Sequence, residues 1–87
     1  MTPVYILSAA RTAIGSFGGS LKDYAPIDLG IIAAKEAIAR ASMPADQIGH
    51  GVFGNVIHTE PRDMYISRCI TIGAGMQDSA PALTVNR

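Results

Sequence analysis

Residues 4–21 read VYILSAARTAIGSFGGSL, a short apolar run followed by a loop that is rich in glycine. The run Val4–Leu7 consists mainly of residues that favour strands. It does not alternate between apolar and polar residues, which is typical of a strand covered on both faces in a parallel sheet. Gly15, Gly18 and Gly19 then permit a tight connection from strand to helix. The stretch therefore predicts a central strand that leaves a buried sheet through a shaped loop.

The composition predicts a chain that needs further protein around it. Of its 87 residues, 48% are hydrophobic and only 16% are charged, against roughly 25% charged in ordinary soluble domains. A small freestanding domain should have proportionally more polar surface than a large one. The chain is therefore interpreted as a piece of something larger or as a strongly associating chain.

Charge and hydropathy exclude several classes of partner. Seven basic and seven acidic residues cancel, and neither sign is clustered, so we expect no nucleic acid and no membrane surface as partners. No apolar run approaches the roughly 20 residues of a membrane span. Met1–Pro3 lacks the basic start of a secretory signal, and the single cysteine, Cys69, forms no intrachain disulfide framework. These features predict a cytoplasmic protein.

The remaining elements alternate between helix and strand, which predicts an α/β fold with parallel strands joined by right-handed crossovers. Proline residues and glycine residues mark the boundaries. The predicted order is β-α-β-α-β: strand Val4–Leu7, helix from Pro26 to about Ala41, a turn or single helical turn at Pro44–Gln47, strand His50–Ile57, helix from Pro61 to about Ile72, and strand Ala82–Val85.

Two features of the helices can be read from residue spacing. Glu36 and Arg40 lie four residues apart, which favours a surface ion pair. In the second helix, an apolar stripe is predicted at Ile66, Cys69, Ile70 and Gly73, while Arg62 and Asp63 stay polar. Gly73 and Gly75 are candidate C-caps.

The glycine loop does not have the spacing of a nucleotide-binding motif. Gly15, Gly18 and Gly19 do not form G-x-G-x-x-G, and no Gly-Lys-Ser/Thr follows. The loop is therefore interpreted as packed against the rest of the domain. Arg11 has two open interpretations: it anchors loop carbonyls or a carboxylate, or it contacts substrate.

No residue of the chain stands in a pattern typical of catalysis or metal binding. Cys69 lies on the apolar stripe rather than at a helix start, which is typical of an inert buried thiol. His50 and His58 flank one strand, and no cluster has metal-ligand spacing. His58 is a solvated loop residue or a contact for a ligand or partner. Thr59–Asp63 is a capped helix start or a segment that reaches a neighbouring subunit.

Three segments closely resemble the thiolases, the acetyl-CoA C-acyltransferases. They are Ser8–Leu21 (SAARTAIGSFGGSL), Val52–Ile57 (VFGNVI) and Ala82–Arg87 (ALTVNR), and together they cover nearly the whole chain in one register. Within the family, Gly54–Tyr65 (GNVIHTEPRDMY) is most similar to bacterial β-ketothiolases. The resemblance implies that residues 1–87 are an incomplete N-terminal thiolase domain, part of a mixed sheet covered by helices.

The resemblance implies a reversible acyl transfer between CoA thioesters through an acyl-cysteine intermediate. Acetyl-CoA, acyl-CoA and CoA are then substrates, no cofactor is needed, and the condensing direction is the expected role. In the family, the pair matched by Asn86–Arg87 precedes the nucleophilic cysteine at the start of a buried helix, where thiolate is favoured. That cysteine and the other catalytic groups have no counterpart here. No catalytic, cofactor-binding or metal-binding residue is therefore assigned to this chain.

The resemblance also implies a homodimer or a dimer of dimers. The strand Ala82–Val85 would be an outer strand that pairs with its own copy, and it carries none of the charges that usually protect a sheet edge. The Glu60–Met64 loop would help to shape the partner's active-site entrance. The expected dimer-interface residues are Arg68, Ala82, Leu83, Thr84, Val85 and Asn86.

Two other functions are kept open. The chain is a non-catalytic piece that docks onto a complementary thiolase remainder, or it belongs to a thiolase-like protein that binds acyl-CoA without turnover. Whichever of these functions or the thiolase function applies, we expect the isolated chain to be inactive and unable to fold stably alone.

Overall fold

A computed structural model describes residues 2–87. It contains two helices, α1 (Pro26–Arg40) and α2 (Ile66–Gly73), and two strands, β1 (Gly51–Gly54) and β2 (Ala82–Val85). Single 3₁₀ turns lie at Ala45–Gln47 and Pro61–Tyr65. These bounds confirm the four predicted elements from Pro26 onward and the helical turn after Pro44. The second predicted strand is shorter than expected, and the second helix begins as the 3₁₀ turn.

The two strands run parallel, as predicted, with Gly51 opposite Ala82 and Gly54 opposite Val85. Gly51 N donates to Pro81 O at 3.1 Å, and Asn55 N donates to Val85 O at 2.9 Å. Backbone groups along a strand face its two neighbours alternately. The N–H groups of Ala82 and Thr84 therefore face away from β1, along the free edge of β2.

The predicted first strand is wrong for this structure. Val4–Leu7 has no regular secondary structure, and Val4 and Ile6 are each more than 90% exposed. The segment lies along α1 instead, where the Ser8 hydroxyl donates to Ala37 O at 2.5 Å. Strand propensity and an apolar pattern do not supply the ladder partner that a strand requires. Among residues 2–87, this backbone finds none.

The core lies where α2 is packed between the sheet and α1. Its buried members are Ile27, Ile66 and Ile70. Two members of the predicted stripe, Ile66 and Ile70, are therefore confirmed as core residues. Gly73 completes the stripe, because a Cβ at that position would overlap the Ile31 side chain of α1. Close approach of the two helices thus depends on glycine.

The end of α2 is closed by a Schellman motif, which confirms Gly75 as its capping glycine. Gly75 has φ +93°, and its N–H donates to Ile72 O at 3.1 Å. Met76 N donates to Thr71 O, also at 3.1 Å. On α1, Glu36 and Arg40 form the predicted ion pair, at 2.8 Å.

Candidate functional site at the strand ends

The candidate site is the edge at which both parallel strands end. β1 ends at Gly54 and β2 ends at Val85 opposite it. The next residues, Asn55 and Asn86, begin the segments that leave this edge. Open α/β sheets place their ligands beyond the carboxyl ends of their strands. The segments that follow β1 and β2 are therefore the part of this chain best placed to meet a ligand.

Asp63 organises the segment that follows β1. Its carboxylate oxygen Oδ2 accepts hydrogen bonds from Thr59 N at 2.8 Å, from Thr59 Oγ1 at 2.8 Å and from Glu60 N at 3.3 Å. Asn55 Nδ2 donates to the backbone oxygen of Asp63 at 3.4 Å. The bond from Asn55 joins the two ends of segment 55–63, and the bonds from Thr59 and Glu60 join the middle of the segment to Asp63. The segment is therefore a closed loop. It is called the β1 loop below.

The Asp63 carboxylate is fully buried, with 0% of the residue exposed. Its pKa is lowered from the ordinary value, and the N–H of Thr59 is the largest cause. The Thr59 hydroxyl, the N–H of Glu60 and nearby His58 act in the same direction, whereas burial opposes them. The carboxyl group is therefore charged near neutral pH. Its second oxygen, Oδ1, is buried without a hydrogen-bond partner.

Ser67, in the first turn of α2, connects the helix to both strands. It is 1% exposed, and its hydroxyl accepts Phe53 N at 3.1 Å and donates to Leu83 O at 2.7 Å. Ser67 N also donates to Thr84 Oγ1 at 3.1 Å. One residue thus holds the strand ends at a fixed distance from the start of α2.

Sequence reasoning missed the roles of Asp63 and Ser67. Asp63 was expected to be a polar residue at a helix start, and the structure confirms the capped start but buries the side chain. The signal for both was available in the spacing. Asp63, Ser67 and Thr71 recur every four residues, beside Ile66 and Ile70 of the apolar stripe, so the three polar residues share the inward face of the helix with that stripe.

The expected dimer-interface residues lie on and beside β2. Ala82, Leu83, Thr84 and Val85 form the strand, and Asn86 follows it as an exposed residue. One edge of β2 pairs with β1, and within residues 2–87 no backbone pairs with the other edge. The interface itself stays a prediction.

Arg68 is held against the segment that leads into β2. Its guanidinium donates to Ala80 O at 3.0 Å and to Asp78 O at 2.6 Å. It therefore fixes the approach to the strand from within the same chain. Its expected contact with a second subunit stays a prediction.

The other candidate residues are dispersed. Arg11 donates to the neighbouring Thr12 O at 3.2 Å and lines an open groove against α1. Cys69 is a free thiol, half-buried against the core. His50 precedes β1, whereas His58 lies in the β1 loop, so the two flank the strand as predicted. The structure brings none of these residues together.

Two further kinds of feature are absent from residues 2–87. No three His, Cys, Asp or Glu side chains of the described part of the chain are grouped so as to hold a metal ion. No helix within that part is long and apolar enough to cross a membrane.

The fold and the strand-end edge define a class of α/β protein built from crossovers between parallel strands. Residues 4–87 match the family model described as Thiolase, N-terminal domain. The chain belongs to the thiolase family, as its sequence motifs indicated.

Relatives and solved structures agree with this assignment. Beta-ketothiolase BktB of Cupriavidus necator is 58% identical over 84 residues, 97% of this chain and 21% of its own length. An acetyl-CoA acetyltransferase of Clostridioides difficile is 46% identical over 99% of this chain and 79% of its own length. The crystal structure of human mitochondrial 3-ketoacyl-CoA thiolase in complex with CoA superposes with a TM-score of 0.90 at 31% identity. It covers 93% of this chain, which spans 21% of that thiolase.

Two conclusions follow from these likenesses. The α/β fold class is confirmed, because a thiolase superposes on nearly the whole chain. The chain also spans about a fifth of the length of BktB and of the human enzyme.

Proposed function

We propose that this chain is part of the N-terminal domain of a β-ketothiolase that transfers acyl groups between CoA thioesters. The observation that carries the proposal is the match over residues 4–87 to the thiolase N-terminal domain, together with a parallel strand that ends at Val85, directly before Asn86–Arg87. The names of the two relatives, a beta-ketothiolase and an acetyl-CoA acetyltransferase, support the same reaction class.

The proposed reaction is the thiolysis of a 3-ketoacyl-CoA, in which free CoA is the final acyl acceptor. A cysteine thiolate beyond Arg87 attacks the keto carbon, and the bond between C2 and C3 breaks with its electron pair on C2. Protonation of C2 gives acetyl-CoA and leaves the shortened acyl group on the cysteine sulfur. The CoA thiolate then takes up the acyl group, which regenerates the cysteine thiolate. The reverse sequence condenses two thioesters, and we propose it as the physiological direction.

In this reaction, the described residues form a scaffold rather than supply reacting groups. Ser67 fixes the ends of both strands, and Arg68 fixes the approach to β2. The segment that leaves β2 at Asn86–Arg87 would then carry the nucleophile from a rigid position, which catalytic geometry requires. We further propose a cytoplasmic homodimer or dimer of dimers as the working assembly, with no resident cofactor.

The test is a completed enzyme, defined as residues 1–87 joined to the part of BktB that lies beyond its matched segment. Purified protein is assayed for thiolysis of acetoacetyl-CoA by free CoA, and acetyl-CoA is measured by chromatography. We expect activity within about tenfold of BktB itself, because this chain is 58% identical over 84 residues to the BktB segment that it replaces. A folded completed enzyme that binds CoA without turnover would contradict the proposal and favour an acyl-CoA-binding role.

A further inference from the structure

We propose that Asp63 is a positioning residue that fixes the β1 loop as one wall of the acyl-binding space at the strand ends. The inference rests on the proposed thiolase function, and it concerns a residue that the reaction scheme above does not use. It is drawn from three observations: how the loop is held, where it begins, and what it exposes.

The β1 loop is held by one buried side chain. Both donor groups of Thr59 and the N–H of Glu60 converge on Asp63 Oδ2, so one oxygen accepts three hydrogen bonds. Hydrogen bonds to a carboxylate are roughly twice as strong as neutral ones. The other side-chain bonds within the loop are the one from Asn55 to the backbone of Asp63 and an exposed ion pair between Arg62 and Glu60 at 2.9 Å. Exposed ion pairs contribute little to stability. Its shape therefore depends on the Asp63 carboxylate.

The loop begins where the two strands end. Asn55 N, its first backbone donor, bonds to Val85 O at the end of β2. The loop therefore stands beside the segment that continues through Asn86 to Arg87. In the proposed enzyme, that segment leads to the reacting sulfur. A change in the shape of the β1 loop would therefore change the acyl-binding space beside that sulfur.

The loop exposes apolar side chains at this edge. Val56 is 55% exposed and Ile57 is 79% exposed, although they lie only a few residues from the buried Asp63. Exposed apolar side chains on a fixed loop suit contact with the hydrocarbon part of an acyl thioester, because that contact removes apolar surface from water. Asp63 would act through these two residues and touch no substrate itself.

The experiment compares Asp63→Asn with two other variants in the completed enzyme. Asparagine preserves the shape of the buried side chain but removes its charge. Thr59→Val removes only the hydroxyl donor and keeps the shape of an exposed residue. Asp46→Asn, at an exposed acidic residue in the first 3₁₀ turn, is the matched control for loss of one negative charge. Hydrogen exchange of the peptide containing Thr59 and Glu60, thermal midpoint, KM and kcat are measured for each.

We expect Asp63→Asn to accelerate exchange in the β1 loop by about tenfold and to raise KM for acetoacetyl-CoA about threefold to tenfold, as expected for a weakened hydrogen-bond cluster. The value of kcat should change less than KM, because the reacting groups lie elsewhere. Thr59→Val should shift exchange and KM in the same direction by a smaller factor. Asp46→Asn should match the unsubstituted enzyme in all measurements.

Each other outcome has a definite meaning. Faster loop exchange with unchanged KM would overturn the proposal, because the loop would then not border the acyl-binding space. Unchanged exchange would also overturn it. If Asp63→Asn lowers kcat and the thermal midpoint together and Thr59→Val has no effect, Asp63 is only structural. Inactivity of the unsubstituted completed enzyme contradicts the proposed function instead, and the exchange measurement still tests the loop.

Discussion

The Ser67 hydroxyl donates a hydrogen bond of 2.7 Å to Leu83 O and thereby ties the first turn of α2 to β2. The same hydroxyl accepts the N–H of Phe53 in β1. A helix and two strands therefore meet at one buried oxygen. Parallel strands are joined by a long crossover connection rather than by a tight turn. Here the Ser67 hydroxyl bonds to both strands and so helps to hold β1 and β2 beside each other.

Replacement of Ser67 by alanine is expected to destabilise the completed enzyme. The change leaves Phe53 N and Leu83 O without their hydroxyl partner at a buried position, which costs about 1–3 kcal/mol. The measurement is the thermal midpoint, which should fall by several degrees. Ser79→Ala is the control, because its hydroxyl makes only an exposed bond to Gln77. Equal midpoints for the two variants would show that the Ser67 bonds contribute nothing.

The Asp63 carboxylate predicts a specific pH dependence of stability. Its pKa in the folded chain lies below the ordinary value of 3.8. The stabilisation is therefore fully present above the unfolded pKa and is lost as pH falls through the folded pKa. The midpoint difference between the unsubstituted enzyme and Asp63→Asn should be largest at neutral pH and should shrink below about pH 4.

Thermal midpoints measured from neutral to acidic pH test this dependence. Asp46→Asn should show no such convergence, since Asp46 is exposed. A difference between Asp63→Asn and the unsubstituted enzyme that stays constant down to the lowest pH would contradict a role for the charge.

The dimer interface predicted at β2 can be tested at Thr84. Its N–H faces the free edge of the strand, so Thr84→Pro removes a donor from that edge while the bonds to β1 keep their partners. We expect dissociation of the oligomer, measured by light scattering, together with loss of activity. Thr84→Val is the control for the lost hydroxyl, which accepts Ser67 N. An intact, active oligomer of Thr84→Pro would place the interface elsewhere.

Cys69 is expected to be dispensable for catalysis. It lies half-buried on α2 against the core. Cys69→Ala in the completed enzyme should retain thiolysis within about twofold, because a small buried hydrophobe replaces another of similar character. The assay is acetyl-CoA formation. A loss of activity of a hundredfold or more without a change in thermal midpoint would make this thiol a reacting group.

The isolated 87-residue chain is expected not to fold cooperatively. Large apolar side chains remain exposed along its first segment, with Tyr5 at 75%, Ile14 at 90% and Phe17 above 100% of full exposure. Surfaces of this kind associate or aggregate when nothing covers them. Thermal unfolding followed by circular dichroism should show no sharp transition, and sizing should show aggregates. A monodisperse monomer with a sharp transition would contradict this expectation.

Much of the fold could be predicted because its signals are local. Pro26 begins α1, Gly75 closes α2, and Ala82–Val85 is a strand with the predicted bounds. Each depends on backbone preferences within a few residues. The thiolase family could also be identified, since its motifs are long and keep one register.

The candidate site was less predictable, because its main residues act through distant contacts. The burial of Asp63 depends on Thr59 and Glu60 folding back over it, and the role of Ser67 depends on the two strands that reach it. The Val4–Leu7 segment failed in another way. Its local preference for a strand was strong, but no second strand pairs with it in residues 2–87, so no strand forms there.

The sequence by itself determined the helices, the caps, the parallel pairing and the family of this protein, because those depend on residue type and spacing along the chain. Only the tertiary structure decided which polar groups are buried together and which backbone edge stays free. Hydrogen bonds such as those of Asp63 and Ser67 form only when residues of several segments are brought close together by the fold. Residue spacing within a single element does not predict those contacts.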